Sequence, residues 1–154
     1  MKFLKSALCF VALASLCIAA EVSKISPTEA AKKVAAGDAV IIRGEDVMVR
    51  QAPPHNGEGM STAYRLSDAA PGRNMEFRVR VMHPGATIGL HPIRHDEVYY
   101  VVSGMGDVTA DGVTNRLNAG DAAYLYDGEV VGIEQVGDED MVLIIAYPLA
   151  ERTD

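Results

Sequence analysis

The sequence predicts a small all-β domain, a sandwich or barrel, preceded by one short helix. Runs of Val, Ile and Tyr, each long enough for a single strand, recur from Glu76 onward. Turns bearing glycine separate them at roughly ten-residue spacing, as in sandwiches and barrels. No convincing helical period interrupts them, so alternating strand and helix units are not indicated.

Residues 1–20 are set apart from this pattern. Lys2 and Lys5 precede an apolar run from Ala7 to Ile18 broken only by Ser15, and Ala19-Ala20 stand before the first acid, Glu21. A charged start, a short apolar middle and small residues at the end are the features of a cleaved secretory signal, with the cut expected after Ala20. The run is short for a bilayer span, and no later stretch is long and apolar enough for one. The mature chain is therefore expected to be secreted or periplasmic, with no membrane partner after signal removal.

Residues 21–75 are expected to supply the helix, a loop and flanking strands. Ser26-Pro27-Thr28-Glu29 combines a capping serine, a proline at the first helical position and a glutamate three residues after the cap. Ala30 to Ala36 continue this helix and Gly37 stops it. Residues 40–49 read as one or two short strands. Gln51 to Gly59, with Pro53-Pro54, His55 and Asn56-Gly57, reads as a loop.

Residues 76–147 are expected to form the barrel core. Phe77, Val79 and Val81 alternate with Glu76, Arg78 and Arg80, the period of a half-buried strand. Pro84-Gly85 turns the chain, and Glu97 to Val102 is a strand rich in Val and Tyr. Asp107 to Leu117 is a hairpin about Asp111-Gly112, a dipeptide suited to a two-residue turn with positive φ. Strands follow at 122–126 and 130–136. Met141 to Tyr147 is apolar on both faces, as expected of a strand covered on both sides. Residues 148–154 form a tail.

Charge and cysteine content narrow the function. Removing residues 1–20 leaves 12 basic against 21 acidic side chains, a net charge of −9. With no Lys/Arg cluster to offset it, this charge argues against nucleic acid as a partner. The two cysteines, Cys9 and Cys17, both lie in the signal, so no disulfide braces the mature chain. A lipoprotein reading of Cys17 is disfavoured by Leu16, which stands where a small residue is wanted.

The chemistry is concentrated between Gly85 and Gly104, where His91, His95 and Glu97 crowd together. Residues 91, 93, 95 and 97 share parity, so a regular strand would aim them the same way. Gly85, His91, Glu97 and Gly104 match every spacing of the pattern G-x5-H-x-H-x3-E-x6-G, and this region resembles the first motif of the cupins. The resemblance, spanning about residues 76–147, implies a double-stranded β-helix or jelly-roll barrel, a homodimer, and an interior divalent metal such as Fe, Mn, Ni or Zn. It makes His91 and Glu97 metal ligands. Ile93 replaces the motif's second histidine. In the second motif, G-x5-P-x-G-x2-H-x3-N, Gly120 and Gly128 hold their places, whereas Tyr126, Val131 and Gln135 replace the proline, histidine and asparagine. Two family ligands remain of four, few for a firmly held ion.

His95 is the open position. A bulge near Pro92 would swing it inward, giving His91, His95 and Glu97 as a facial metal set; otherwise it sits on the loop, solvated or paired with Asp96. His83 and His55 are further donors of lesser specificity. Tyr99, Tyr124 and Tyr126 are expected at the pocket wall, and Arg78, Arg80 and Arg94 are cations able to grip a carboxylate or sugar acid. The resulting expectation is an exported cupin with a small-molecule pocket for a sugar or sugar acid. Its chemistry would be of isomerase or lyase type, metal-assisted or metal-free, with Glu97 and His91 as catalytic groups. The alternative is a metal-poor binding module without turnover.

Overall fold

The computed structural model describes residues 39–149. The expected signal peptide and the helix expected from Ser26 lie outside the described residues, as does the tail beyond Leu149. Among the described residues, no helix is long and apolar enough to cross a membrane.

The chain runs through α1 (Gly44–Val47), β1 (Met48–Gln51), β2 (Ser61–Tyr64), a 3-10 turn (Leu66–Ala69), β3 (Met75–Met82), β4 (Thr87–Pro92) and β5 (Glu97–Ser103). It continues through β6 (Met105–Ala110), β7 (Val113–Asn118), β8 (Ala122–Leu125), β9 (Val130–Gln135) and β10 (Met141–Pro148). These strands form a six-stranded sheet of order β1-β2-β3-β10-β5-β8 and a four-stranded sheet of order β4-β9-β6-β7. Every pairing is antiparallel. The all-β barrel expected from the sequence is thus the fold. Its core, including Met82, Ile88, Val101, Val108, Val131, Ile133, Met141 and Leu143, lies between the two sheets.

Most turns fall where the residues asked for them. Asp111 and Gly112 adopt φ of 46° and 80°, the left-handed pair that a tight hairpin needs, and they join β6 to β7. Gln135, at the second motif's asparagine position, is a buried tie between turns. Its Oε1 accepts from the Gly85 amide at 2.8 Å, and its Nε2 donates to Gly137 and Glu139 carbonyls at 2.9 and 2.7 Å.

Four local expectations are corrected. Residues 40–49 are not strand throughout: Glu45 and Asp46 stand in the first turn of α1, where acids complement the exposed helical N–H groups, and only then does β1 begin. Residues 91–97 do not share one strand. Pro92 ends β4, residues 93–96 turn, and Glu97 opens β5 in the other sheet, so the parity argument fails. The alternation on β3 is real but inverted: Glu76 and Arg80 are buried, while Phe77 is exposed and Val79 and Val81 are half-buried. On β10, Met141, Leu143 and Ile145 are buried, but Val142, Ile144 and Ala146 are only half covered.

Candidate functional site

Residues of both sheets line an open-sided cavity of about 260 Å³, and Ile93, Arg94 and His95 of the switch between sheets form part of its wall. His91 comes from the end of β4 and Glu97 from the start of β5, so the two face the cavity from opposite sheets. Backbone pairing holds the turn in place: the Ile93 amide donates to Glu129 at 3.0 Å, and the Gly128 amide donates to Ile93 at 3.1 Å. The Asp96 carboxylate braces it from the side, accepting from the Tyr124 hydroxyl at 2.6 Å and the Asp127 amide at 3.0 Å. These two donors hold the Asp96 carboxyl below the usual range.

His91 is oriented by its own strand. With Nδ1 as donor to the Gly89 carbonyl at 2.9 Å, Nε2 is the ring's remaining nitrogen. The His55 ring stacks on it at 3.4 Å, only 4° from parallel. His55 reaches this position from the Pro-rich loop because His55 and Asn56 both adopt left-handed φ, 59° and 57°. Glycine permits the approach of that loop: a Cβ at Gly89 would lie 1.9 Å from the His55 carbonyl oxygen, and one at Gly57 would lie 1.9 Å from that of Thr87. Burial and the neighbouring His91, Arg78 and Arg80 keep His55 below the ordinary histidine pKa.

His95 turns inward. Its ring stacks on Tyr147 at 4.1 Å, and its Nε2 lies 3.6 Å from Glu97 Oε2. That nitrogen is buried without a hydrogen-bond partner. Burial lowers the pKa of His95, and burial raises that of Glu97 to about 7, with Arg78 only partly opposing the rise. Both shifts favour the neutral forms, and near neutral pH Glu97 is divided between its protonated and ionised forms.

Arg78 and Arg80 form the cationic side of the cavity but differ in their pairing. Arg78 Nε donates to Glu76 Oε1 at 2.6 Å, and its guanidinium lies 5.7 Å from the centre of the Tyr147 ring. Burial alone would raise the Glu76 carboxyl, yet the Arg78 hydrogen bond holds it low. Arg80 is 2% exposed, donates to Ser61 Oγ at 2.7 Å, and keeps an unpartnered Nε. Burial, then Arg78 and Arg65, push it down to about 10.

The expected site residues therefore divide. His91, His95, Glu97, Arg78, Arg80 and Tyr99 all line the cavity, as does Arg94. Tyr124 and Tyr126 do not; more than half exposed, they stand outside, their rings 5.1 Å apart, and Tyr124 serves the turn through Asp96. His83 is tied away from the cavity by Asp140 at 2.9 Å and Thr62 at 3.1 Å. Tyr147 is the wall residue the sequence reading passed over. The signal for it was available, since it shares β10 parity with the buried Ile145, Leu143 and Met141.

The donors as placed do not make a metal centre. Among the described residues, no three His, Cys, Asp or Glu side chains converge closely enough to hold an ion. At the two positions where the cupin motifs put further histidines, Ile93 and Val131 are 3% and 0% exposed, filling core space with hydrocarbon.

A two-sheet barrel with a polar cavity beside the β4–β5 crossing defines the class, and the comparisons agree with it: the chain belongs to the cupin family, whose cupin domain matches residues 78–147. It is 36% identical over 104 residues to beta-D-galactosidase Rv1717 of Mycobacterium tuberculosis, covering 65% of this chain and 87% of that protein. It is 28% identical over 111 residues to the oxalate-binding protein of Thermotoga maritima, covering 68% and 90%. Among solved structures, a predicted oxalate decarboxylase from Thermotoga maritima superposes with a TM-score of 0.64 at 24% identity, over 71% of this chain and 99% of that one, a likeness of fold.

Proposed function

We propose that this is an exported cupin whose cavity binds a small polar ligand, a sugar or sugar acid, and moves a proton on it in isomerase- or lyase-type chemistry. The observation that carries the reading is Glu97, a buried carboxyl with its pKa raised to about 7, lining the cavity 3.6 Å from His95 Nε2. An acid that titrates at working pH gives and takes a proton with little cost in either direction. Protonated, Glu97 donates to a ligand oxygen; ionised, it accepts a proton from carbon beside a carbonyl. His91, oriented through Gly89, supplies a second ring nitrogen for the ligand. The names of two relatives, a galactosidase and an oxalate-binding protein, support a sugar or small acid as the ligand class.

The test is Glu97→Gln, assayed for turnover and binding on a panel of aldoses and uronates. Abolished turnover with binding retained supports the reading, and undiminished turnover overturns it. Ile93 and Val131 favour a second reading, a binding module without turnover; wild-type binding with no product across the panel would select it. A metal-assisted variant requires His91 or His95 to move towards Glu97 on loading. Metal analysis of wild type against His91→Ala tests this.

Export rests on the charged and apolar segments of residues 1–20, and N-terminal sequencing of the exported chain checks the cut after Ala20. Homodimerisation is supported by the outer face of the large sheet, where Phe77, Tyr100 and Val102 are exposed beside half-buried Val142 and Ile144.

A further inference from the structure

We infer that the cavity takes its ligand as an anion, with a carboxylate of the ligand seated on the Arg80 guanidinium. The inference deepens the small-ligand reading above and rests on it. Strand β3 directs three charged residues towards the barrel interior, and the two cations are not equivalent. Glu76 neutralises Arg78 at 2.6 Å and is itself 3.3 Å from Arg73, so its charge is already shared. Arg80, more deeply buried than either arginine, has no carboxylate within ion-pair distance among the described residues; its partner is the Ser61 hydroxyl.

An ion withdrawn from water without a counter-ion is costly, and protein interiors hold one where a partner or ligand supplies the opposite charge. The other cavity groups do not supply it. Glu97, the carboxyl that lines the cavity, comes within ion-pair distance of His95 and of no arginine among the described residues. Arg80 thus leaves an unpaired positive charge at the cavity in a chain whose formal net charge is −7, so attraction of an anion there comes from the site and not from the protein's overall field.

Arg80 is also held ready. Its NH1 donates to Ser61 Oγ, whose hydroxyl in turn donates to the Gln51 carbonyl at 3.1 Å, so the guanidinium plane is fixed before a ligand arrives. Fixed planar donors suit a planar carboxylate better than a sugar hydroxyl.

The experiment compares charged probes with neutral counterparts on the mature chain at pH 7.5, by ligand-observed NMR and thermal shift: D-galacturonate against D-galactose, and oxalate against oxamide. At least one acid is expected to bind while its neutral counterpart does not, with affinity falling at least tenfold in Arg80→Met and only partly in Arg80→Lys. In probe-free buffer, Arg80→Met is expected to melt at or above the wild-type midpoint, because an uncompensated charge has been removed. Equal binding of the neutral probe, or undiminished acid binding by Arg80→Met, overturns the anion inference but leaves the small-ligand reading standing. Binding of no probe at all overturns both, and a collapsed midpoint in Arg80→Met marks the residue as structural and overturns the inference.

Discussion

His95 Nε2 and Glu97 Oε2 stand 3.6 Å apart, too far for a hydrogen bond and too close for a water between them. Each group is held from outside the pair, His95 by the Tyr147 ring and Glu97 by the first residue pairing of β5, with Leu125 of β8. Neither satisfies the other, so both remain available to whatever enters the cavity. Burial then brings both towards their neutral forms, which suits a site that handles a proton rather than one that clamps an ion pair.

The raised Glu97 pKa makes stability depend on pH in a definite direction. The folded chain retains this proton to about pH 7, whereas the unfolded carboxyl loses it near 4.5. Between those values the native state binds more protons, so the contribution of Glu97 to stability falls as pH rises and reaches its full penalty above pH 7. A shift of this size corresponds to about 3 kcal/mol. Urea denaturation at pH 5 and pH 8 should show Glu97→Gln gaining most over wild type at pH 8. Equal gains at both values would contradict the assignment.

The two histidines titrate with the opposite sign. His55 and His95 are held below the ordinary value of 6.5, so the folded state binds fewer protons than the unfolded chain and stability from these groups is lost as pH falls below that value. Because His55 stacks on His91, acidification should first release the Pro53–Gly59 loop. Amide protection factors in that loop, referred to the intrinsic exchange rate at each pH, are expected to fall between pH 7 and pH 5.5 in wild type but not in His55→Phe, which keeps the stack without a charge; an equal fall in both would refute this.

How much of this was visible before the structure differs from residue to residue. The spacing of Gly85, His91, Glu97 and Gly104 pointed to the cavity through its resemblance to the cupin motif, and His91 and Glu97 both line it. Asp111-Gly112 located a hairpin because only left-handed φ closes such a turn. Parity failed at residues 91–97, since it presumes one continuous strand and Pro92 ends it. It misled again on β3, where Phe77, Val79 and Val81 read as the core face yet lie outward. A sequence period reports alternation; which face is buried is decided by neighbouring strands, and here Leu143, Val101 and Tyr99 surround the arginines. Tyr124 and Tyr126 could not be separated from Tyr99 by composition, because edge placement of β8 is a property of the sheet order.

The close approach of loop and strand predicts intolerance to a single methyl group. Gly57→Ala and Gly89→Ala each drive a Cβ into a carbonyl oxygen of the facing segment, backbone against backbone, with no flexible side chain to yield. Each should destabilise by about 1–3 kcal/mol, the usual range for overpacking, and displace His55 from His91. Gly85→Ala, whose Cβ meets nothing but whose φ is 78°, should lower stability through backbone strain alone and leave the stack intact. Chemical-shift changes at His91 in the first two variants and their absence in the third would separate the mechanisms.

Ile93 offers the sharpest test of why no three donors converge. Its side chain lines the cavity between His91 and His95 in sequence, and it is almost wholly buried. Ile93→His replaces that hydrocarbon with an imidazole beside groups already facing the same space. Without metal the variant should lose about 1–3 kcal/mol, because a buried polar ring lacks a partner. With Zn2+ or Mn2+ added it should recover that loss and raise its melting midpoint above the metal-free variant, since ligands that bind only the folded state stabilise it. Wild type, whose His91, His95 and Glu97 do not converge, should show a much smaller shift at the same metal concentration. An equal shift in wild type would mean that His91, His95 and Glu97 rearrange into a metal site on their own.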